Sequence, residues 1–295
     1  MSDILITGGA GQVGRALQRL SWPAGTALAA PPRAELDLAD PAALTAWVHA
    51  RPFALIINCA AYTAVDKCES DACAAWTANA LAPAALAQAG AATDIPIIHI
   101  STDYVFDGRK AEPYVETDAV SPLSVYGASK AGGELAVRTA NRRHIILRTS
   151  WVFGAAGSNF VKTMLRLGAE RPSLRVINDQ FGAPTSADDL AQAIAVIARR
   201  LILDTDAPAG TYHFTNAGET TWCGFAAEIF EQSARRGGPS ARVEPIPAAQ
   251  YPLPARRPAN SRLATRAIAR DFGVNPRPWR AALSDIMDEL LPRMT

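Results

Sequence analysis

Short apolar runs at residues 4–6, 27–30, 54–59, 97–101 and 145–149 lack the alternation of a half-exposed strand, and Ala- and Leu-rich stretches at helical spacing lie between them. Strands covered on both faces read this way. A strand–helix–strand rhythm predicts parallel pairing through right-handed crossovers, so the pattern predicts an α/β fold, a doubly wound parallel sheet. Helix signals agree. Asp40-Pro41 offers a cap and a first-turn proline, Ser70 or Asp71 can cap the run that ends at Ala92, and Pro122 precedes a third helix. Beyond about residue 150 the texture changes. Helices are expected over 160–169 and 186–202 and short strands around Val176, Tyr212 and Val243, with prolines crowded into 245–258. Residues 1–150 read as the core, and 151–295 mainly as a smaller lobe interleaved with it.

Composition removes several function classes. The 295 residues carry 29 basic and 28 acidic side chains, a net charge of +1, so no basic field invites nucleic acid. The run over 190–203 is broken by Arg199 and Arg200, and none reaches the roughly 18–20 apolar residues of a membrane span. The chain enters its first apolar run without a basic leader, which predicts no secretory signal and a cytoplasmic location. Cys59, Cys68, Cys73 and Cys223 form no C-x-x-C pair, and His49, His99, His144 and His213 are scattered. Free thiols in or near the core are expected, with neither a zinc site nor a disulfide framework.

Candidate chemistry begins at Thr7-Gly8-Gly9-Ala10-Gly11-Gln12-Val13-Gly14, between the first strand and an apolar-periodic segment. Glycines at 8, 11 and 14 permit a tight turn, close approach of a pyrophosphate to backbone N–H groups, and close helix–sheet packing. The placement predicts a dinucleotide site; a glycine-rich turn without ligand is the alternative. The second strand ends in Ala29-Ala30-Pro31-Pro32-Arg33, with no acidic residue for ribose hydroxyls. Arg33 suits a 2′-phosphate, which favours NADPH, while Glu35 and Asp37 keep NADH open. Asp37-Leu38 is placed beside the adenine, with Asp37 accepting from its amino group.

Tyr126 and Lys130 share one helix face at i, i+4. A free phenol ionises near 10. At about 5 Å and an effective dielectric near 20, the ammonium favours tyrosinate by roughly 3 kcal/mol, about two pKa units. The expectation is a phenol acidified into the working range by Lys130. Thr102, at the end of the fourth strand, lies where open α/β sheets bind ligands and can hydrogen-bond a substrate carbonyl.

The glycine turn, strand-end hydroxyl and Tyr-x-x-x-Lys together resemble the extended short-chain dehydrogenase/reductase superfamily. More specifically, Gly11-Gln12-Val13-Gly14, the block from Asn58 to Asp66, Ser101-Thr102-Asp103-Tyr104, Arg148-Thr149-Ser150-Trp151, the block from Asp179 to Thr185, and Arg257-Pro258-Ala259-Asn260 resemble the dTDP-4-dehydrorhamnose reductase family over nearly the whole chain. The resemblance implies that Gly11, Gln12 and Val13 hold the cofactor diphosphate, that Ala60, Ala61 and Thr63 line its path, and that Lys130 contacts the nicotinamide ribose. It implies Tyr126 as proton donor, with Thr102 and Asp103 meeting the sugar beside Val65 and Trp151. Asn159, Phe160, Gln180, Arg256, Arg257 and Asn260 are the candidates for the nucleotide diphosphate. The implied partition is an NADP-binding core over 1–150 and a substrate lobe over 151–295. The implied reaction reduces dTDP-4-dehydro-L-rhamnose to dTDP-L-rhamnose for a surface polysaccharide, in a monomer or homodimer. Some relatives dimerise through magnesium, but Arg15-Ala16 stand where an acidic ligand would, so no metal site is expected. The alternative is a non-catalytic NADP-binding protein like the regulatory subunit of methionine adenosyltransferase. A dehydratase is disfavoured because Thr102 is followed by Asp103-Tyr104 and lacks an acidic pair.

Overall fold

The computed structural model describes residues 3–291. Its centre is a parallel sheet of six strands: β1 (Asp3–Thr7), β2 (Leu28–Ala29), β3 (Phe53–Asn58), β4 (Ile97–Thr102), β5 (His144–Thr149) and the strand Gly210–His213. From one edge to the other the order is Gly210–His213, β5, β4, β3, β1, β2. The order reverses direction beside β1, which creates the crevice in which doubly wound folds bind ligands.

Each apolar strand serves two cores, which explains the missing alternation. Ile4, Ile6, Leu55, Ile57, Ile98, Ile145 and Leu147 pack beneath α1 (Gln12–Arg19) and the helix Ala187–Leu203. Leu5, Ile56, Ile97 and Ile146 face the opposite layer, with α2 (Pro41–His49) and the helix Ala82–Ala92. A third cluster, around Phe153, Val161, Phe225, Ile229, Trp279 and Leu283, surrounds the two-stranded parallel pair of Ser173–Ile177 with Arg242–Ile246. No described helix is long and apolar enough to cross a membrane.

Asp40 caps α2 by accepting from the Ala43 N–H at 3.0 Å, and Ser124 caps the helix Val125–Ala140 through Gly127 N–H at 3.2 Å. Other details depart from the pattern. The strand at Tyr212 pairs with β5, Tyr212 opposite Leu147, so it extends the central sheet while the strands at Val176 and Val243 pair with each other. Asp71 precedes Ala72–Trp76 without a side-chain cap bond; its carboxylate accepts from the Tyr62 hydroxyl at 3.0 Å. The run to Ala92 is interrupted by a π-helical turn over Thr77–Leu81. That turn brings Asn79 inward, where its amide bonds both Tyr62 backbone groups and the Ser129 hydroxyl. All four cysteines are free, but Cys73 is exposed rather than in the core.

Candidate active site

A cleft of about 1160 Å³ opens at the carboxyl ends of β1, β3, β4 and β5. At one wall Gly8 adopts φ 72°, and a Cβ there would stand 2.7 Å from the Ala60 nitrogen. A Cβ on Gly14 would stand 2.3 Å from the Gly8 carbonyl. The loop thus closes only with glycine. Gly11 donates its N–H to Gly8 at 2.9 Å, and α1 begins at Gln12 without a side-chain cap, leaving an anion cradle. Gly8, Gly11, Gln12 and Val13 line this wall, and Ala60, Ala61, Thr63 and Val65 line its continuation. The cradle fits a dinucleotide diphosphate.

Arg33, Asp37 and Leu38 line another part of the cleft with Pro31, Pro32 and Leu36. Arg33 is 84% exposed and reaches Asp37 at 3.4 Å. Asp37 also accepts from the Ala39 N–H at 3.0 Å, and that backbone donor, with Arg33, holds its carboxyl below the usual range.

Thr102, Asp103, Tyr126 and Lys130 all line the same cleft. The register of β4 and the Ser124 cap bring them together: Gly127 is pressed so closely on Tyr104 that a Cβ would stand 2.2 Å from the Tyr104 carbonyl. Thr102 donates its hydroxyl to Asp103 at 2.9 Å and accepts from the Tyr104 N–H. The rings of Tyr104 and Tyr126 meet edge to face, 5.9 Å apart. Lys130 donates its ammonium to the Ile100 carbonyl at 2.6 Å, with His99 Nε2 at 3.4 Å.

The titration of these groups corrects the expected acidified phenol. Burial pushes Tyr126 up, the Thr102 hydroxyl opposing and Asp103 and Cys68 adding to the rise. Burial also lowers Lys130 to about 8, against the favourable charge of Glu134. The ammonium is desolvated and gives one of its three donors to Ile100, so spacing along the helix overstated its pull on the resting phenol. Asp103 is raised to about 7, chiefly by burial, and its Oδ2 has no hydrogen-bond partner. Beneath the site, Ser101 donates to Glu134 at 2.6 Å, and Glu134 takes Arg148 through two bonds of 2.8 and 2.6 Å.

Trp151 lines the cleft with φ 48°, its ring stacked on Trp222 at a centroid distance of 3.7 Å. The six diphosphate candidates fare differently. None of Asn159, Phe160, Gln180, Arg256, Arg257 and Asn260 is among the cleft-lining residues. Asn159 caps the helix Phe160–Glu170 and donates to Gln12 and Gly154, while Phe160 packs on Trp222 and Phe225. Asn260 donates to Lys110 and Glu112 and accepts twice from Arg262. Both side-chain amides are thus engaged within the chain. Arg256 is exposed and Gln180 buried. Arg257 pairs with Asp66 at 2.7 and 3.1 Å.

Sequence reasoning missed Trp222, His99, Asn79 and Glu134. Glu134 was reachable, since it continues the Tyr126–Lys130 face by one further i+4 step. Trp222 had no local signal; only the tertiary fold brings it to Trp151.

A glycine cradle facing a Tyr–Lys pair across the ends of a parallel sheet defines an oxidoreductase of the extended short-chain dehydrogenase/reductase type. The family model described as the RmlD substrate binding domain matches residues 1–291. The chain belongs to the dTDP-4-dehydrorhamnose reductase family. It is 43% identical over 289 residues to the enzyme of that name from Sinorhizobium fredii, covering 98% of this chain and 97% of the relative. A crystal structure of the reductase from Clostridium acetobutylicum superposes with a TM-score of 0.91 at 37% identity, over 98% of this chain and 99% of that one. The Bacillus anthracis reductase, crystallised with NADP, superposes at 0.90 with 34% identity, over 98% and 100%.

Proposed function

We propose that this chain reduces dTDP-4-dehydro-L-rhamnose to dTDP-L-rhamnose with NADPH, the closing step of a sugar-nucleotide synthesis that supplies a surface polysaccharide. The observation that carries the mechanism is the convergence of Thr102, Tyr126 and Lys130 in one cleft with the glycine cradle. When bound there, NADPH supplies the hydride that reduces carbon-4 of the sugar.

The remaining work falls to side chains. Gly11, Gln12 and Val13 bind the cofactor diphosphate at the start of α1, and Ala60, Ala61 and Thr63 leave room for its path. Thr102 orients the sugar carbonyl, and Val65, Asp103 and Trp151 wall the sugar. Tyr126 holds its proton in the resting enzyme because burial opposes its ionisation. It gives that proton to the developing alkoxide, a far stronger base than a phenolate, so no prior acidification is required. The Lys130 ammonium holds the nicotinamide ribose and stabilises the tyrosinate as charge appears, favouring the transition state over the ground state. Residues 1–150 are mainly the cofactor half, and 151–295 mainly the substrate half. Arg257, with Arg256 and Gln180, meets the substrate diphosphate by exchanging Asp66 for it; Arg is suited to that bidentate geometry.

The deciding experiment follows NADPH absorbance with the dTDP-4-keto sugar for wild type and Tyr126→Phe. Turnover by the wild type and a loss on the order of 10²–10⁴-fold in the variant is expected. Equal turnover removes Tyr126 from its role, and an inert wild type that still binds NADPH leaves only a binding protein.

A further inference from the structure

Trp151 is held in a conformation its own backbone disfavours. Its φ of 48° lies in the left-handed region, which bulky side chains adopt only where surrounding structure over-determines it, commonly at ligand sites. Two elements far apart in sequence close on its ring. On one side is Gly182, where a Cβ would come within 2.5 Å of the Trp151 ring, so any side chain there would displace the indole. On another is Trp222, whose ring lies nearly parallel to that of Trp151, at 11° and 3.7 Å.

These two supports are one unit. Phe181–Gly182 pairs antiparallel with Thr220–Thr221, Gly182 opposite Thr220, and the next residue is Trp222. Thr221 anchors the start of the helix Trp222–Ala234, accepting from Gly224 N–H at 3.0 Å and donating to Asn178 at 2.7 Å. Behind Trp222 stands Phe160, 4.7 Å away, itself stacked on Phe225, which meets Trp279 edge to face. The stack therefore rests on the third hydrophobic cluster.

We infer that Trp222, together with Gly182, is a positioning residue for the sugar nucleotide: the pair clamps the Trp151 indole in the single orientation in which it walls the sugar. The inference rests on the proposed reduction of a dTDP-keto sugar and adds the residues that decide how its deoxysugar ring is held. A rigid indole offers a flat apolar surface to the C–H face of a deoxysugar. Fixing that surface before binding removes an ordering cost that would otherwise weaken the substrate complex.

The test compares wild type, Trp222→Ala, Trp222→Phe and Gly182→Ala in three measurements. These are KM and kcat for the dTDP-4-keto sugar, the dissociation constant of NADPH, and the exciton couplet that stacked indoles give in circular dichroism. Trp222→Ala is expected to remove the couplet and raise KM for the sugar nucleotide about tenfold, equivalent to about 1.4 kcal/mol, with NADPH affinity unchanged. Trp222→Phe, which keeps an aromatic face, should restore most of the KM. Gly182→Ala leaves Trp222 in place yet displaces Trp151, so it should alter the couplet and raise KM in the same sense. Loss of the couplet without a change in KM overturns the inference, as does an equal loss of NADPH affinity, which would mark general loosening. A wild type that turns over beside unaffected variants defeats the clamp alone. A wild type that never turns over the sugar nucleotide defeats the functional reading, and the clamp with it.

Discussion

Lys130 donates its ammonium to the main-chain oxygen of Ile100 at 2.6 Å, one helical turn beyond Tyr126 on the same helix. The fold thus holds the charge on the strand beneath the helix, and burial lowers its pKa to about 8. The free enzyme should therefore lose activity as pH rises through about 8, where the ammonium gives up its proton. A pH profile of kcat/KM reads this directly, because that ratio reports groups in the free enzyme. The unfolded chain keeps the proton to about 10.4. Lys130 consequently favours folding fully only above that value, and the contribution is lost as pH falls through about 8. Lys130→Met should melt higher than wild type at pH 7 while losing the alkaline limb and about 10²–10⁴-fold in kcat. A variant that retains the limb would place the titration elsewhere.

Asp103 titrates in the opposite sense. Burial raises its folded pKa to about 7, so its contribution to stability is complete below the unfolded value of about 3.9 and is lost as pH climbs through 7. Asp103→Asn keeps the shape without the charge. Denaturant titrations at pH 5 and pH 8 should show the variant gaining on wild type at the higher pH, whereas parallel losses at both would contradict the shift.

Glu134 and Arg148 are 3% and 2% exposed and joined at 2.6 Å. Cutting one partner leaves the other charge buried and uncompensated, at about 3–5 kcal/mol. Glu134→Gln should lower the unfolding free energy by about that amount. Glu134→Leu combined with Arg148→Met should cost less than either change alone in a double-mutant cycle. Additive losses would mean the pair is not coupled.

Arg33 and Asp37 compete over one phosphate. With Asp37 removed, Arg33 is released from its carboxylate partner, and repulsion of a 2′-phosphate falls. Asp37→Ala should raise the NADPH to NADH ratio of kcat/KM several-fold, and Arg33→Ala should lower it by about tenfold, the effect of roughly 1.4 kcal/mol. Unchanged ratios in both would remove the pair from cofactor choice.

The layered sheet was legible because burial on both faces writes itself as unbroken apolar runs such as 54–59. The glycine turn was legible because steric exclusion at Gly8 and Gly14 leaves one residue type. Hydrogen-bond destinations were not. A motif does not say that the Asn260 amide donates to the main chain of Lys110 and Glu112, or that the Asn159 amide donates to the Gln12 side chain and the Gly154 carbonyl. The acidified phenol failed for a related reason: spacing along a helix gives the distance between two groups but not their solvation. The π-helical turn at Asn79 left no sign in the Ala-rich run, since its cause is a buried amide reaching Tyr62 and Ser129.

The strand Gly210–His213 gives the late part of the chain a share in the earliest architecture. It covers β5 from Ile145 to Arg148, and His213 Nε2 lies 3.4 Å from the Arg148 guanidinium. A polypeptide truncated before residue 210 would expose a bare sheet rim beside a wetted ion pair, an invitation to stick to other copies. Exchange of specificity between relatives by splicing at the end of β5 therefore demands that the graft bring its own matching closing strand.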